Sequence, residues 1–251
     1  MKKISALLSA LILITCVGFL ALQNKSDQDI DNKKESSVSV STTEQKEIPT
    51  WTKPIKADEI KEENVFFFFN STATLYHFYK TIDEMNESDV VDTIIKGIIT
   101  DIDYVSTEGL AKSILTINVL ESYKGNTAKE IKVYEDGGYI RVKDMLDEFK
   151  DNGMDLEKHL SKEEIEIGFV EKKFLNAPHP KKGQQVILYL HKNTHPAYLA
   201  DSYGIISSVY GKFTLDKNTK QYKRTSGDMV SDFETSIPED EMEKKLKNKF
   251  K

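Results

Sequence analysis

The hydrophobic and polar positions of this 251-residue chain follow several different periods, and each period predicts a different element. Residues 4–22 are almost uninterrupted apolar residues, directly after Lys2 and Lys3. About 19 residues, at a rise of 1.5 Å each, are just long enough to cross a hydrocarbon core of roughly 30 Å. Because basic flanks resist translocation, the lysines should stay in the cytoplasm. The pattern therefore predicts a signal segment over residues 1–23, with the rest of the chain on the extracytoplasmic face of the cell membrane.

Three kinds of signal segment fit this run. An uncleaved signal anchor would keep residues 4–22 as a membrane helix. The sequence Leu13-Ile14-Thr15-Cys16 also resembles the lipobox of bacterial lipoproteins, in which Cys16 would become the lipidated first residue. A cleaved secretory signal is the third interpretation, although no small-x-small motif ends the run. All three place the protein outside the cytoplasm. In the first the anchor is a membrane helix, and in the second it is a lipid on Cys16.

A polar stretch follows the signal segment. Residues 24–64 are dominated by Ser, Thr, Lys, Glu, Asp and Gln, a composition that cannot bury enough apolar surface to fold. We predict a disordered polar stalk. Trp51, between Pro49 and Pro54, either docks the end of this stalk onto the following domain or is a solitary exposed aromatic side chain.

The globular domain is predicted over residues 65–251. Val65–Phe69, with four consecutive phenylalanines, indicates a strand buried on both faces, because exposure of such a run favours aggregation. The next apolar residues recur at helical spacing and predict a helix that ends near Glu87, with a buried stripe formed by Leu75, Phe78, Tyr79 and Ile82.

Strand patterns dominate the middle of the chain. In residues 112–123, Leu115, Ile117 and Val119 alternate with polar residues, as on a strand with one buried face. Residues 94–105, with Gly97 at the place of a bulge or sharp bend, and residues 131–133, 185–191 and 205–215 supply the other strands of a mainly antiparallel sheet. Residues 140–182 interrupt them with helical spacing, including a helix that carries Ile165 and Phe169. A C-terminal amphipathic helix is predicted over about 236–250, with Ser236 and Glu239 as its capping box and a stripe of Met242, Leu246 and Phe250.

The order of these elements supports a family resemblance. The segments Ile94-Ile95-Lys96-Gly97-Ile98-Ile99, Glu121-Ser122-Tyr123-Lys124-Gly125 and Lys182-Gly183-Gln184 stand at strands and turns as in the OB-like barrel modules of bacterial secreted or lipid-anchored proteins, which are related to the netrin and tissue-inhibitor-of-metalloproteinase (NTR/TIMP-like) domains. The resemblance implies a mainly β (α+β) fold: a five-stranded OB-like antiparallel barrel over about 90–225. It also implies a helix before the first strand, a helical insertion between the third and fourth strands, and a C-terminal helix. No cysteine precedes the barrel, so the zinc-chelating chemistry of the animal inhibitors does not carry over.

Composition excludes several functions. With 35 Lys+Arg against 41 Asp+Glu, a net charge of −6 and a pI near 5.5, the chain has no basic field for nucleic acid. Its single cysteine, Cys16, lies in the signal segment, which excludes disulfides, thiol catalysis and Cys-ligated zinc from the exported part. Arg141 and Arg224 are the only arginines, a lysine bias that favours an AT-rich, low-GC Gram-positive host. No P-loop, dinucleotide fingerprint or nucleophile elbow is present, so we expect no cofactor.

Few residues suggest catalysis. His191 and His195 have the i, i+4 spacing of a zinc helix, but Asn193 and Pro196 favour a loop. With the nearby Asp201 they define the alternative function, an envelope hydrolase or metal-dependent enzyme. Asp101 and Asp103 lie on one strand face, some 7 Å apart by strand geometry, within range for paired carboxylates or for two solvated charges. His179, between two prolines, is expected in a rigid loop.

The function that fits best is an extracytoplasmic, membrane-tethered binding module for a protein or cell-envelope component. OB barrels present one face and its loops to their partners. The candidates for that face are four tyrosines, each of which also fits a core or rim position: Tyr104, Tyr123, Tyr134 and Tyr139. A structural or assembly component recognised through its C-terminal helix is a third possibility.

Overall fold

The computed structural model describes residues 51–71, 79–107, 109–225 and 233–250. The signal segment with Cys16, most of the predicted stalk, and the N-terminal part of the helix predicted from Leu75 lie outside these residues. Within the described ranges, no helix has the length and apolar character needed to cross a membrane.

The described part of the chain is mainly β, with short helices between the strands and one longer helix at the end. Its strands are β1 Ile55–Lys56, β2 Val65–Ser71, β3 Thr93–Thr107, β4 Leu110–Lys124, β5 Glu130–Asp136, β6 Gly138–Arg141, β7 Phe169–Phe174, β8 Gln185–Lys192, β9 Tyr203–Ile205, β10 Lys212–Asp216, β11 Gln221–Arg224 and β12 Ser236–Pro238. Its α-helices are α1 Ile82–Asn86, α2 Leu146–Asp151, α3 Lys162–Ile167 and α4 Glu239–Phe250.

Nine strands form one large sheet in the order β1-β3-β4-β5-β9-β8-β10-β11-β12, and β8 also pairs with β3. Strands β3, β4, β5, β9 and β8 are therefore paired in a ring, antiparallel except for β5 with β9. Leu115 and Ile117 face the main core, where both are fully buried, as their alternation predicts. The bulge expected at Gly97 is present, and a Cβ there would lie 2.4 Å from the Ile117 side chain.

A second sheet has the order β2-β7-β6, with β2 parallel to β7. The prediction that the phenylalanine strand is buried on both faces is wrong, because β2 lies at the edge of this small sheet and Phe68 is 64% exposed. Phe67 and Phe69 point to the opposite face and pack against Phe149 of α2.

The segment 140–182 is not simply a helical insertion. It contains the end of β6 and all of β7, while α2 and α3 are only six residues each. Phe169 belongs to β7 because Gly168 ends α3. A side chain at Gly168 would meet the Glu164 carbonyl at 2.5 Å and the Phe66 ring at 2.7 Å. Strand pairing with the distant β2 thus overrides a local helical spacing.

The chain is folded before Val65. Ile55 is 1% exposed in the main core, and β1 pairs with β3 through Ile55 opposite Tyr104 and Lys56 opposite Asp103. Residues 51–64, assigned above to the stalk, therefore belong to the domain.

Helices α1 and α4 follow their predictions in part. Helix α1 ends at its C-cap Glu87, as expected, but it begins only at Ile82. Thr81 is its extended N-cap and Tyr79 is not helical, so the prediction of one helix that carries both Tyr79 and Ile82 is wrong. Helix α4 begins at Glu239, later than predicted, because Ser236–Pro238 pairs with β11 rather than capping the helix. Its expected apolar stripe is present, with Met242 and Leu246 buried and Phe250 packed beside them.

Candidate functional site

The outer face of β4 and β5, turned away from the main core, carries alternating polar and apolar pairs. Because every second residue of a strand points the same way, three pairs face each other here: Lys112 with Asp136, Ile114 with Tyr134, and Thr116 with Lys132. Lys112 Nζ donates to Asp136 Oδ1, and Lys132 Nζ donates to Thr116 Oγ1 at 2.6 Å. An apolar pair is thus bordered on both sides by hydrogen-bonded polar pairs.

Three aromatic rings, Trp51, Tyr134 and Tyr198, pack together on this outer face and form what we call the aromatic cluster. Their ring centroids are 6.1 Å apart for Trp51 and Tyr134, 5.9 Å for Trp51 and Tyr198, and 4.9 Å for the two tyrosines. Trp51 Nε1 also donates to the Ala197 carbonyl at 2.5 Å. Of the two interpretations of Trp51, docking onto the domain is therefore confirmed. Val105 and Ile114 form the apolar floor of the cluster.

The loop between β8 and β9 holds Tyr198 over β5. The Leu199 amide donates to the Tyr134 hydroxyl at 3.4 Å, and Ser202 Oγ donates to the Leu199 carbonyl at 2.6 Å. The leucine side chain itself is 49% exposed. Burial opposes the charge on Lys112, but the Asp136 carboxylate and the Tyr198 hydroxyl outweigh it and raise the Lys112 pKa. The loop is thereby linked to the polar pairs as well as to the aromatic rings.

An open cleft of about 450 Å³ lies beside this face, between the β4–β5 turn and the β8–β9 loop. Its walls include Lys132 of the outer face, Tyr203 of β9, and the Lys192–Asp201 ion pair, whose charged atoms are 3.1 Å apart. Both charges of that pair are largely exposed, so the cleft presents hydrogen-bonding groups to solvent.

The four tyrosines named from the sequence do not share one surface. Tyr104, Tyr123 and Tyr134 are 4%, 4% and 5% exposed and belong to three separate buried clusters, whereas Tyr139 is half-buried. Burial, with the charges of Glu135 and Glu171, raises the pKa of Tyr104 to about 12. Only Tyr134 lies on the outer face, and it forms the inner side of the aromatic cluster.

The residues of the enzyme alternative are not brought together as ligands. His195 lies in a loop, as predicted, and its Nδ1 accepts from the Ala197 amide at 3.2 Å. His191 lies on β8 against Gly204, where burial lowers its pKa, and Asp201 is paired with Lys192. In the described residues no three His, Cys, Asp or Glu side chains are arranged to hold a metal ion.

Asp101 and Asp103 are bound by lysines rather than poised as an acid and a base. Lys56 Nζ lies 3.1 Å from Asp101 and 2.7 Å from Asp103, and Lys182 Nζ lies 2.6 Å from Asp101. The hydrogen bond from Lys182 is the main reason that the pKa of Asp101 falls to about 2. Both carboxylates are ion-paired with lysines and only partly exposed, so they are neither two freely solvated charges nor two free carboxylates paired for catalysis.

The sequence did not indicate a polar cluster on the inner face of the large sheet. Glu135 forms an ion pair with Lys212, and both side chains are about 97% buried or more. Burial raises the pKa of Glu135 even though Lys212 opposes that shift. Nearby, His179 Nε2 lies 3.0 Å from Glu171 Oε1, and burial lowers the pKa of His179. Charged residues are rarely enclosed in this way, and no local pattern marks them for burial.

Comparison of the chain with protein-family models, with curated proteins and with solved structures finds no match.

Proposed function

We propose that the chain is an extracytoplasmic, membrane-tethered binding module with an OB-like barrel, and that it binds a protein or cell-envelope component through the outer face of β4 and β5. The observation that carries this proposal is the aromatic cluster with its hydrogen-bonded polar border. Rigid aromatic side chains surrounded by polar groups are typical of binding surfaces.

The paired strands support the OB-like description. Strand β8 follows the long connection after β5 and returns beside β3, which is the arrangement of a Greek key. If β3, β4, β5, β8 and β9 are the five strands of an OB barrel, then β4 and β5 are its second and third strands. OB barrels bind ligands on the face of those strands and on the loop between strands four and five, where Tyr198 and Leu199 lie here.

The tether is supported by the basic and apolar pattern of residues 1–23. In cells stripped of their wall, added protease should digest the domain while cytoplasmic proteins remain intact. Protection of the domain under these conditions would contradict the extracytoplasmic assignment. Labelled fatty acid that disappears from the protein in Cys16→Ala would select the lipoprotein signal over the other two.

Site-specific photo-crosslinking in intact cells tests the binding face. A photoreactive residue at Leu199, which is exposed beside the aromatic cluster, should give a cross-linked product of discrete mass. The same residue at Lys217, in the exposed β10–β11 turn, is the matched control and should give none. The Leu199 product should also weaken in a Tyr198→Ala background. A product only at Lys217 would contradict the proposed face.

A further inference from the structure

Trp51 covers the outer face from a segment that lies outside the barrel ring. Its indole contacts both tyrosine rings of the aromatic cluster and donates to the Ala197 carbonyl. The next residue extends the contact to the edge of β3 through one backbone and one side-chain hydrogen bond. Thr52 N donates to the Ser106 carbonyl at 2.8 Å, and the Ser106 amide donates to Thr52 Oγ1 at 3.0 Å. Trp51 and Thr52 therefore cover the aromatic cluster and the adjoining edge of β3.

The contacts of Trp51 are separable from those that anchor the same segment. Ile55 is 1% exposed and packs in the main core, whereas Trp51 and Thr52 are only half-buried at the surface. Local opening is easiest where few buried contacts are lost. Trp51 and Thr52 can thus leave the face while Ile55 and the pairing of β1 with β3 stay in place.

The surface beneath Trp51 has a defined chemistry. Two tyrosine rings and one carbonyl acceptor suit a planar aromatic ring that carries a single N–H donor, which is the chemistry of a tryptophan side chain. The Ser106 backbone adds an acceptor for a peptide N–H and a donor to a side-chain hydroxyl, both used here by Thr52, and capture of a peptide at the edge of a strand is a common mode of recognition. A polypeptide therefore matches this surface better than a glycan does, because backbone groups and a ring are engaged together.

We infer that Trp51 is an intramolecular substitute for a tryptophan side chain of a polypeptide partner, and that the partner binds by displacing Trp51. The inference rests on the proposed function for the assignment of the binding face, and it adds the class of ligand and a competing segment of the protein's own chain. When Trp51 is docked, only the undocked fraction can bind, so the apparent affinity falls by that fraction.

The single tryptophan of the chain makes this exchange measurable. The full-length Trp51→Ala variant has no tryptophan, so any indole fluorescence comes from an added probe. The probe is a peptide with the sequence of residues 46–55, whose only tryptophan is the equivalent of Trp51. We expect saturable binding to Trp51→Ala, seen as a blue shift and a rise in anisotropy. A dye-labelled copy of the peptide should bind wild type about tenfold more weakly or worse, as for a face that is docked nine-tenths of the time or more.

Matched controls separate the site from nonspecific adsorption. The Trp51→Ala/Tyr198→Ala variant should lose binding, because it lacks one wall of the aromatic cluster. A peptide of residues 46–55 with alanine in place of tryptophan should fail to compete. Failure of a folded Trp51→Ala variant to bind the probe would overturn the inference, and so would equal affinity for the variant and wild type.

A measurement on wild type covers the case in which Trp51→Ala does not fold. An excess of the peptide with 4-fluorotryptophan in place of tryptophan, a side chain that keeps the indole N–H but is almost non-fluorescent, should displace Trp51, shift its emission to the red, and increase its quenching by acrylamide. Unchanged emission up to millimolar peptide would overturn the inference. A Leu199 cross-link that persists while no peptide binds would also overturn it, and would leave the proposed function in place with a different ligand chemistry.

Discussion

Two neighbouring residues of β5 carry the same kind of interaction into opposite environments. Glu135 points inward and pairs with Lys212, where the two side chains are 2% and 3% exposed. Asp136 points outward and pairs with Lys112, where the exposures are 28% and 21%, and Ser208 Oγ donates to the same carboxylate. The contribution of a carboxylate–lysine pair to the free energy of unfolding therefore depends on how far the pair is buried. In the inner pair, each charge is stabilised only by its partner. In the outer pair, water and the Ser208 hydroxyl also stabilise the charges.

The largest effect should come from removing one charge of the inner pair. Lys212→Met leaves Glu135 buried without a counter-charge, and we expect a loss of about 3–5 kcal/mol in the free energy of unfolding. Urea denaturation at neutral pH measures it. The double variant Glu135→Leu/Lys212→Met should recover most of the loss, because an apolar pair of similar volume needs no solvation. If the double variant is no more stable than the single one, the loss comes from packing and the comparison fails.

An intermediate effect should come from pH, through the inner cluster around His179. Burial is the largest cause of the lowered pKa of His179, and Lys173 and Lys212 add to it while Glu171 opposes it. His179 therefore binds a proton more readily in the unfolded chain than in the folded protein. Above the unfolded pKa of about 6.5 the histidine is neutral in both states and does not reduce stability. As the pH falls below that value, protonation of the unfolded chain lowers the free energy of unfolding.

Between pH 7.5 and 5.5, wild type should therefore lose of the order of 1 kcal/mol more than His179→Gln. Chemical denaturation at both pH values gives the four free energies. His191, also with a lowered pKa, and Glu135, whose raised pKa acts in the opposite direction, are present in both proteins and cancel in the difference. Identical pH dependence of the two proteins would show that His179 does not titrate differently on folding.

The smallest effect should come from the outer pair. Asp136→Asn removes the charge but keeps the shape, and we expect a loss of only about 0.2–1 kcal/mol, as for other partly exposed ion pairs. Because solvent-accessible charges are screened, the difference from wild type should shrink in 1 M salt, whereas the effect of Lys212→Met should persist. A salt-independent loss of several kcal/mol for Asp136→Asn would remove the distinction between the two sides of β5.

Strand β4 could be predicted because apolar and polar residues alternate along it, whereas the single strand predicted over 205–215 is wrong: it divides into the end of β9 and β10, with a turn between them. Leu115 and Ile117 recur every second residue and both face the core. Strand β7 could not be predicted in this way, since Phe169 follows Ile165 at helical spacing. Its strand state depends on Gly168 and on pairing with β2, which is about 100 residues away along the chain.

The candidate site was only partly predictable for a related reason. For Trp51 the sequence left docking and exposure both open, because a lone aromatic residue at the end of a polar stretch fits either. Tyr134 could not be told from Tyr104 or Tyr123, because all three lie on strands and their burial depends on which neighbours cover each face. The burial of Glu135 and Lys212 was equally hidden, since charged residues are ordinarily assigned to the surface.

The parallel pairing of β2 with β7 also affects the order of events during synthesis of the chain. A ribosome makes residues 65–71 about 100 residues before it makes Phe169–Phe174, the strand with which they pair. During that interval the four phenylalanines form an apolar segment of high β-propensity that has no partner, which is the kind of segment that nucleates intermolecular sheets. Residues 65–71 therefore need to be shielded until β7 is available for pairing, and a delay in synthesis or in membrane translocation between these two strands would lengthen the interval in which they can aggregate.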